Sequence, residues 1–237
     1  MRKREMMETN LPPVIAIDGA AGTGKGTVRR IVAKALGFHE LDSGLLFRAV
    51  GLLAREKGIP TDDLAGLAML VDKLDIRFDD EAVWLEGKER GTLLRSDECG
   101  KLASRVAKIM TVRESLSLFQ ARIRAMPGLV TDGRDQAFTF RRCSAKFFLT
   151  ADPEVRADRR ASQFAKMGLP AHRWQILAEI LRRDNEDRTR PEARFIAHPD
   201  AMVIDTTRMT ENAVATVILE KFLKGDWKSP EKFLGDL

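Results

Sequence analysis

Short apolar runs and longer apolar stripes alternate along the chain. Val14 to Ile17 form a run of apolar or small residues, which predicts a buried strand ended by Asp18 and Gly19. FHELDS (38–43) predicts a second short strand, LVTDGRD (129–135) a third ending in a polar loop, AKFFLTAD (145–152) a fourth and AMVIDTT (201–207) a fifth. Between them the period becomes helical: VRRIVAKAL after Thr27, Gly44 to Lys57, Asp62 to Lys73, and Glu98 to Met126 with a break near Met110-Thr111. Pro153 opens an arginine-dense helix, a Gly168–Pro170 break separates it from another over about 172–187, and Glu211 to Lys224 is the last. From Asp75 to Glu86 the pattern is strand-like, with Asp79-Asp80 as a hairpin turn.

Five core strands mostly separated by helices predict an α/β fold: a five-stranded, mainly parallel sheet covered on both faces. The stretch from about 60 to 126 interrupts the alternation and reads as an inserted subdomain over the substrate cleft. A single domain then spans 13–225, with residues 1–12 and 226–237 as tails. Ligands of such sheets bind beyond the carboxyl ends of the strands. The interesting polar groups fall there: Asp18 to Thr27, Asp42-Ser43, and Asp132 to Asp135.

Bulk properties narrow this little. At 237 residues the chain can bury a substantial core. No apolar run approaches the ~18 residues a membrane span needs, and MRKREMMETN lacks the apolar centre of a secretory signal. Cys99 and Cys143 are far apart with no metal spacing, so both are expected to be structural residues in a reducing cytoplasm. The net charge of +5 suits nucleic acid, or equally arginines facing a polyanionic small molecule.

The first strand and helix flank VIAIDGAAGTGKGT. Strand, glycine turn and helix are the setting of a phosphate-binding loop. Gly19, Gly22, Gly24 and Gly26 allow main-chain N–H groups to crowd around an anion, the helix adds its positive end, and Lys25 adds a full charge. Ala20, Ala21 and Thr23 complete the loop. The usual Ser or Thr after the lysine is displaced: Gly26 stands there and Thr27 follows, a departure from the standard loop that leaves Thr27 as the candidate Mg²⁺ contact. This spacing resembles the nucleoside monophosphate kinases.

Two further groups carry chemistry. LDSGLLFR (41–48) sets Ser43 at a strand end and Arg48 just over a turn into a helix. RRDNEDRTR (182–190) places Arg183, Asp187 and Arg190 about one turn apart, where a solvated helix face is the plainer alternative. His39, His172 and His198 are scattered and read as structural.

Together, GAAGTGKGT, LDSGLLFR, LASRVAKIMTVRES, TDGRD, the ADRR helix, LAEILRRDNEDRTR and AMVIDTT resemble the bacterial cytidylate kinases, in order, over about 13–222. The resemblance implies a P-loop NTPase fold with an acceptor-binding insert and a short lid at about 160–183. It implies ATP as co-substrate, Mg²⁺ as cofactor and CMP or dCMP as acceptor, in pyrimidine nucleotide metabolism. It also implies roles: Ser43, Arg48, Ser104, Arg113, Arg134, Asp135, Arg183, Asp187 and Arg190 at the acceptor, with Arg48 and Arg134 clamping its phosphate. Which of them meet cytosine and which ribose stays open. Arg159 and Arg160 are implied to meet the transferred group from the lid. Asp132 is the candidate for ordering Mg²⁺ through water, a loop or cap carboxylate being the alternative. A monomer, with neither membrane nor nucleic acid as partner, is expected.

Two departures bear on the acceptor. Gln136-Ala137 stand where the family has Met-Gly or Ile-Gly after DGRD, and Phe47 stands where a Tyr is usual; the chain has no Tyr. A kinase for UMP or AMP is therefore the near alternative. A nucleotide-dependent RNA-binding protein is the distant one, with few aromatics for stacking and no RNA-binding motif to support it.

Overall fold

The computed structural model describes residues 11–79, 82–140, 142–166, 168, 170–189, 195–225 and 233–234. The five expected core strands form one sheet: β1 (Val14–Gly19), β2 (His39–Asp42), β6 (Leu129–Gly133), β7 (Ala145–Thr150) and β8 (Met202–Asp205). All their pairings are parallel, in the order β2-β6-β1-β7-β8. A two-residue strand β9 (Phe233–Leu234) adds to β8, again parallel, inside a stretch expected to be only a tail. Two residues carry no readable period.

Helices cover both faces. Ile15, Ile17, Val130, Phe147, Leu149 and Ile204 point into one core with α1 (Lys25–Leu36) and α10 (Glu211–Lys224). Val14, Leu41 and Leu129 point into the other, beneath α2 (Ser43–Glu56). Adjacent residues Val14 and Ile15 thus serve opposite cores, as the two-residue strand period requires.

The 60–126 stretch holds α3 (Leu64–Asp72), a second sheet, and three helices: α4 (Gly91–Leu94), α5 (Asp97–Val106) and α6 (Met110–Ile123). That sheet is the antiparallel set β3 (Ile76–Asp79), β4 (Ala82–Leu85) and β5 (Lys88–Glu89). β3 and β4 pair as the expected hairpin; Asp80 of its turn lies outside the described residues. β5 and α4 are too short to have been read from periodicity. Leu67, Leu85, Leu94, Val112 and Leu116 of this stretch share one continuous core with α2 and with Val14, Leu41 and Leu129.

After β6 a short helix α7 (Gln136–Thr139) stands where only a polar loop was expected. Beyond β7, α8 (Pro153–Lys166) and α9 (Arg173–Thr189) pack through Ala157, Ile176 and Ile180. Arg173 ties the start of α9 back to Asp158 and Glu154 of α8. No helix among the described residues is long and apolar enough to cross a membrane.

Candidate active site

The glycine loop connects β1 to α1 and is built by close approach. Gly19 has φ +151°, and a Cβ there would lie 2.2 Å from the Leu149 carbonyl oxygen. Gly22 has φ +83°, and its Cβ would meet that of Arg156 at 2.9 Å. No other residue fits these turns without displacing its neighbours. α1 starts directly behind Gly24, and no described side chain caps its first turn. The loop is braced from behind. Thr23 Oγ1 donates to the Ala20 carbonyl at 2.9 Å, Thr206 Oγ1 to the Thr23 carbonyl at 3.2 Å, and Arg156 Nη1 to the Ala21 carbonyl at 3.2 Å. Lys25 Nζ donates to the Ala20 carbonyl at 2.7 Å. Burial draws the Lys25 pKa down to about 8, with Asp132 opposing and Arg134 adding to the shift.

Asp18 is buried and accepts the main-chain N–H groups of Gln136 and Ala137, each at 2.8 Å. Burial raises its pKa to about 7, against the pull of those two hydrogen bonds. Two residues that depart from the family pattern are therefore used here through their backbone. The Gln136 side chain faces inward and accepts from Thr131 Oγ1 at 2.9 Å.

On the opposite wall Asp42, not Ser43, caps α2, accepting from the Leu45 N–H at 3.2 Å. This frees the Ser43 hydroxyl, which donates to the Asp132 carbonyl at 2.8 Å. Arg48 donates to the carbonyls of Leu94 and Ser96, each at 2.7 Å, fixing the insert to α2. Arg113 pairs with Asp135 and lies over the Phe47 ring, 5.8 Å from its centroid. Arg134 pairs with Asp187 and lies over Phe195 at 5.4 Å. The acidic Asp187 thus pairs with an arginine of the cleft. Ser104 donates back to the Gly100 carbonyl at 3.1 Å.

Arg160 reaches from α8 to Asp97 of α5 at 3.0 Å. Arg159 instead donates to the carbonyls of Thr206 (2.6 Å) and Met209 (3.1 Å) beyond β8. The two arginines that the resemblance assigns to a lid thus part company, one bridging to α5 and one anchoring beside the loop. Burial lowers the pKa of both Arg48 and Arg160, and the positive charge of Arg183 lowers each further. Three like charges crowded in one cleft are costly unless an anion joins them.

Every acceptor-side candidate among the described residues lines one cleft of about 1440 Å³, together with Lys25, Thr27, Asp132, Arg159 and Arg160. Gly19, Ala20 and Thr23 are not in its wall; they shape the loop from behind. Arg190 lies outside the described residues. None of the three histidines lines the cleft. The two cysteines are free thiols, Cys99 buried and Cys143 donating to the Phe140 carbonyl at 3.0 Å.

Sequence reading missed two buried arginines. Arg156 makes a bidentate pair with Asp184 of α9 (3.1 and 2.5 Å) while holding the loop at Ala21. Arg29, one turn beyond Lys25, pairs with Asp132, with Glu40 at 3.3 Å and with Asp42 at 3.5 Å. Asp42 and Asp132 are register partners on adjacent parallel strands. Like charges so placed repel by a few kcal/mol at an effective dielectric of about 20. Burial, then Asp42, raises the Asp132 pKa to about 6, and Arg29 and Lys25 limit the rise. Burial would lower the Arg29 pKa, but the three carboxylates outweigh it and hold it up. Arg29 shares its helix face with Val28, Val32 and Ala33, whereas Arg156 lies off the stripe of Ala157, Ala161 and Phe164, and neither arginine names its partners from sequence.

Comparison with known proteins bears on the chain as a whole. The family model for cytidylate kinase matches residues 15–224. A cytidylate kinase from Chromobacterium violaceum is 44% identical over 211 residues, covering 89% of this chain and 95% of that one. Those from Cupriavidus necator and Bordetella pertussis are each 41% identical, covering 88% of this chain and 95% and 94% of their own. Glycine loop, ion-paired cleft arginines and near full-length similarity lead to one assignment: the chain belongs to the cytidylate kinase family.

Proposed function

We propose that the cleft transfers the γ-phosphoryl group of ATP to a phosphate oxygen of CMP or dCMP, giving ADP and CDP or dCDP. The observation that carries this reading is the shared cleft: Lys25 on one wall, and Ser43, Arg48, Arg134 and Asp187 on the other. The loop and the start of α1 take the donor phosphates. Arg48, Arg134 and Arg183 take the acceptor phosphate, while Ser43, Ser104, Arg113, Asp135 and Asp187 hold the cytidine or orient those arginines. Phe47 presents a ring face backed by Arg113, a role that needs no hydroxyl.

A nucleoside monophosphate has its second pKa near 6, so the attacking oxygen is already anionic at neutral pH. No general base is needed. The difficulty is holding two polyanions in line, and the cations of the cleft offset their repulsion. Arginine suits this because its planar fork meets phosphate oxygens two at a time. Mg²⁺ binds through oxygen and keeps waters and substrate phosphates as ligands. Thr27 and Asp132 line the cleft with the donors such an ion takes, Asp132 through water. When bound, the ion supplies charge neutralisation at the β- and γ-oxygens. The stretch from about 160 to 183, at the α8–α9 junction, serves as the lid, whose closure excludes water and suppresses ATP hydrolysis. The enzyme is read as a cytoplasmic monomer that works without nucleic acid.

A coupled ADP-release assay across CMP, dCMP, UMP and AMP tests the reading. CMP or dCMP should give kcat/KM at least tenfold above the others. Equal or better turnover of UMP or AMP would replace the acceptor assignment, and acceptor-independent ATP hydrolysis would remove it.

A further inference from the structure

Arg29 has no assigned part in the reaction, yet it is buried within one turn of the phosphate-loop lysine. It belongs to α1, the helix whose start faces the donor phosphates. Its three partners lie on two neighbouring strands: Glu40 within β2, Asp42 at the carboxyl end of β2, and Asp132 next to the end of β6. Each of those ends leads straight into acceptor-side residues. Ser43 follows Asp42, and its hydroxyl donates to the Asp132 carbonyl. Arg134 and Asp135 follow Asp132 by two and three residues. Asp42 and Asp132 face each other in register, so without a cation between them two like charges would drive the strand ends apart.

We infer that Arg29 is a positioning residue for phosphoryl transfer. It fastens the donor helix to the two strand ends that carry the acceptor site, and so sets the line along which the phosphoryl group moves. The inference rests on the proposed division of the cleft into donor and acceptor walls. The planar guanidinium matters as well as its charge, since one fork spans two strands and reaches three carboxylates. A lysine could neutralise one or two of them but could not bridge both strands in the same way. If Arg29 sets alignment, its loss should leave each nucleotide bound almost as well as before and slow the step that needs both in line. If it is merely a buried ion pair, its loss should lower stability and leave turnover per folded molecule intact.

Steady-state kinetics of full-length Arg29→Met and Arg29→Lys, with melting curves of each, distinguish these cases. For Arg29→Met the expected result is a loss of about 100-fold in kcat, with KM for ATP and for CMP each within about threefold of wild type. For Arg29→Lys the expected loss is about tenfold. A kcat within twofold of wild type in Arg29→Met, at a temperature where it remains folded, overturns the inference. So does a large rise in KM for ATP with kcat unchanged, which would make Arg29 a donor-binding aid. Where Arg29→Met does not fold, Arg29→Lys decides alone: wild-type kcat overturns the inference, and a reduced kcat at near-normal KM supports it. Wild-type activity with CMP is measured alongside, so failure of the proposed reaction is seen separately from failure of the role given to Arg29.

Discussion

The two walls of the cleft are made in different ways. The wall proposed for the donor is mostly main chain: a glycine loop and a helix start, with one lysine side chain added, all between Gly19 and Thr27. The wall proposed for the acceptor is side chain: Arg48, Arg113 and Arg183 come from α2, α6 and α9 and Arg134 from the loop after β6, separated by up to 135 residues of sequence (183 − 48). Backbone donors are preorganised by the turn itself. Arginines must be aimed, and here Asp135 and Asp187 do the aiming by ion pairing. The proposed donor wall therefore depends on the shape of one turn and on a single lysine, whereas the proposed acceptor wall depends on ion pairs.

That contrast can be broken most sharply at Lys25. Lys25→Ala should lower kcat about 1000-fold, a loss near 4 kcal/mol of transition-state stabilisation, with circular dichroism and melting unchanged. Arg156→Ala should act in the opposite sense, on the fold. It leaves Asp184 buried without its partner and releases the loop at Ala21, a cost of about 3 kcal/mol or more that a urea melt would read. Arg134→Ala should lower kcat/KM for CMP about 100-fold while KM for ATP moves little, and an equal rise in both KM values would dissolve the distinction between walls.

The pH profile sharpens the donor side. Lys25 acts as a cation, and its pKa is drawn down to about 8. Deprotonation removes the charge, so kcat/KM for ATP should fall toward tenfold per pH unit above about 8. ATP at saturation opposes that deprotonation, so the fall in kcat should begin at higher pH. The smallest effect belongs to the cross-cleft pair. Asp97 is exposed, and Asp97→Asn should change kcat by no more than about fivefold, the scale of a surface ion pair.

The same contrast explains what could be read in the sequence. The donor wall was legible because its residues are contiguous and each has a local reason. The five parallel strands were legible for the same kind of reason, as was Ser43 at its strand end. Ser43's actual partner was not, because capping falls to Asp42 and only the fold brings the Asp132 carbonyl to the freed hydroxyl. Arg29, Arg156 and Asp184 escaped notice because a buried charge on a helix looks locally like an exposed one. Their meaning lies in partners 11 to 103 residues away for Arg29 and 28 residues away for the Arg156–Asp184 pair. The short α4, α7, β5 and β9 hold too few residues to show any period.

The continuous core beneath α2 has a practical consequence for protein engineers. Leu67, Leu85, Leu94 and Leu116 pack in the same hydrophobic mass as Val14, Leu41 and Leu129, so no seam separates residues 60–126 from the main sheet. A chimera that exchanged this segment for a relative's would join two half-cores cut to different shapes. Crossover points that also carry α2 and the facing positions of the first, second and sixth strands would keep the mass whole.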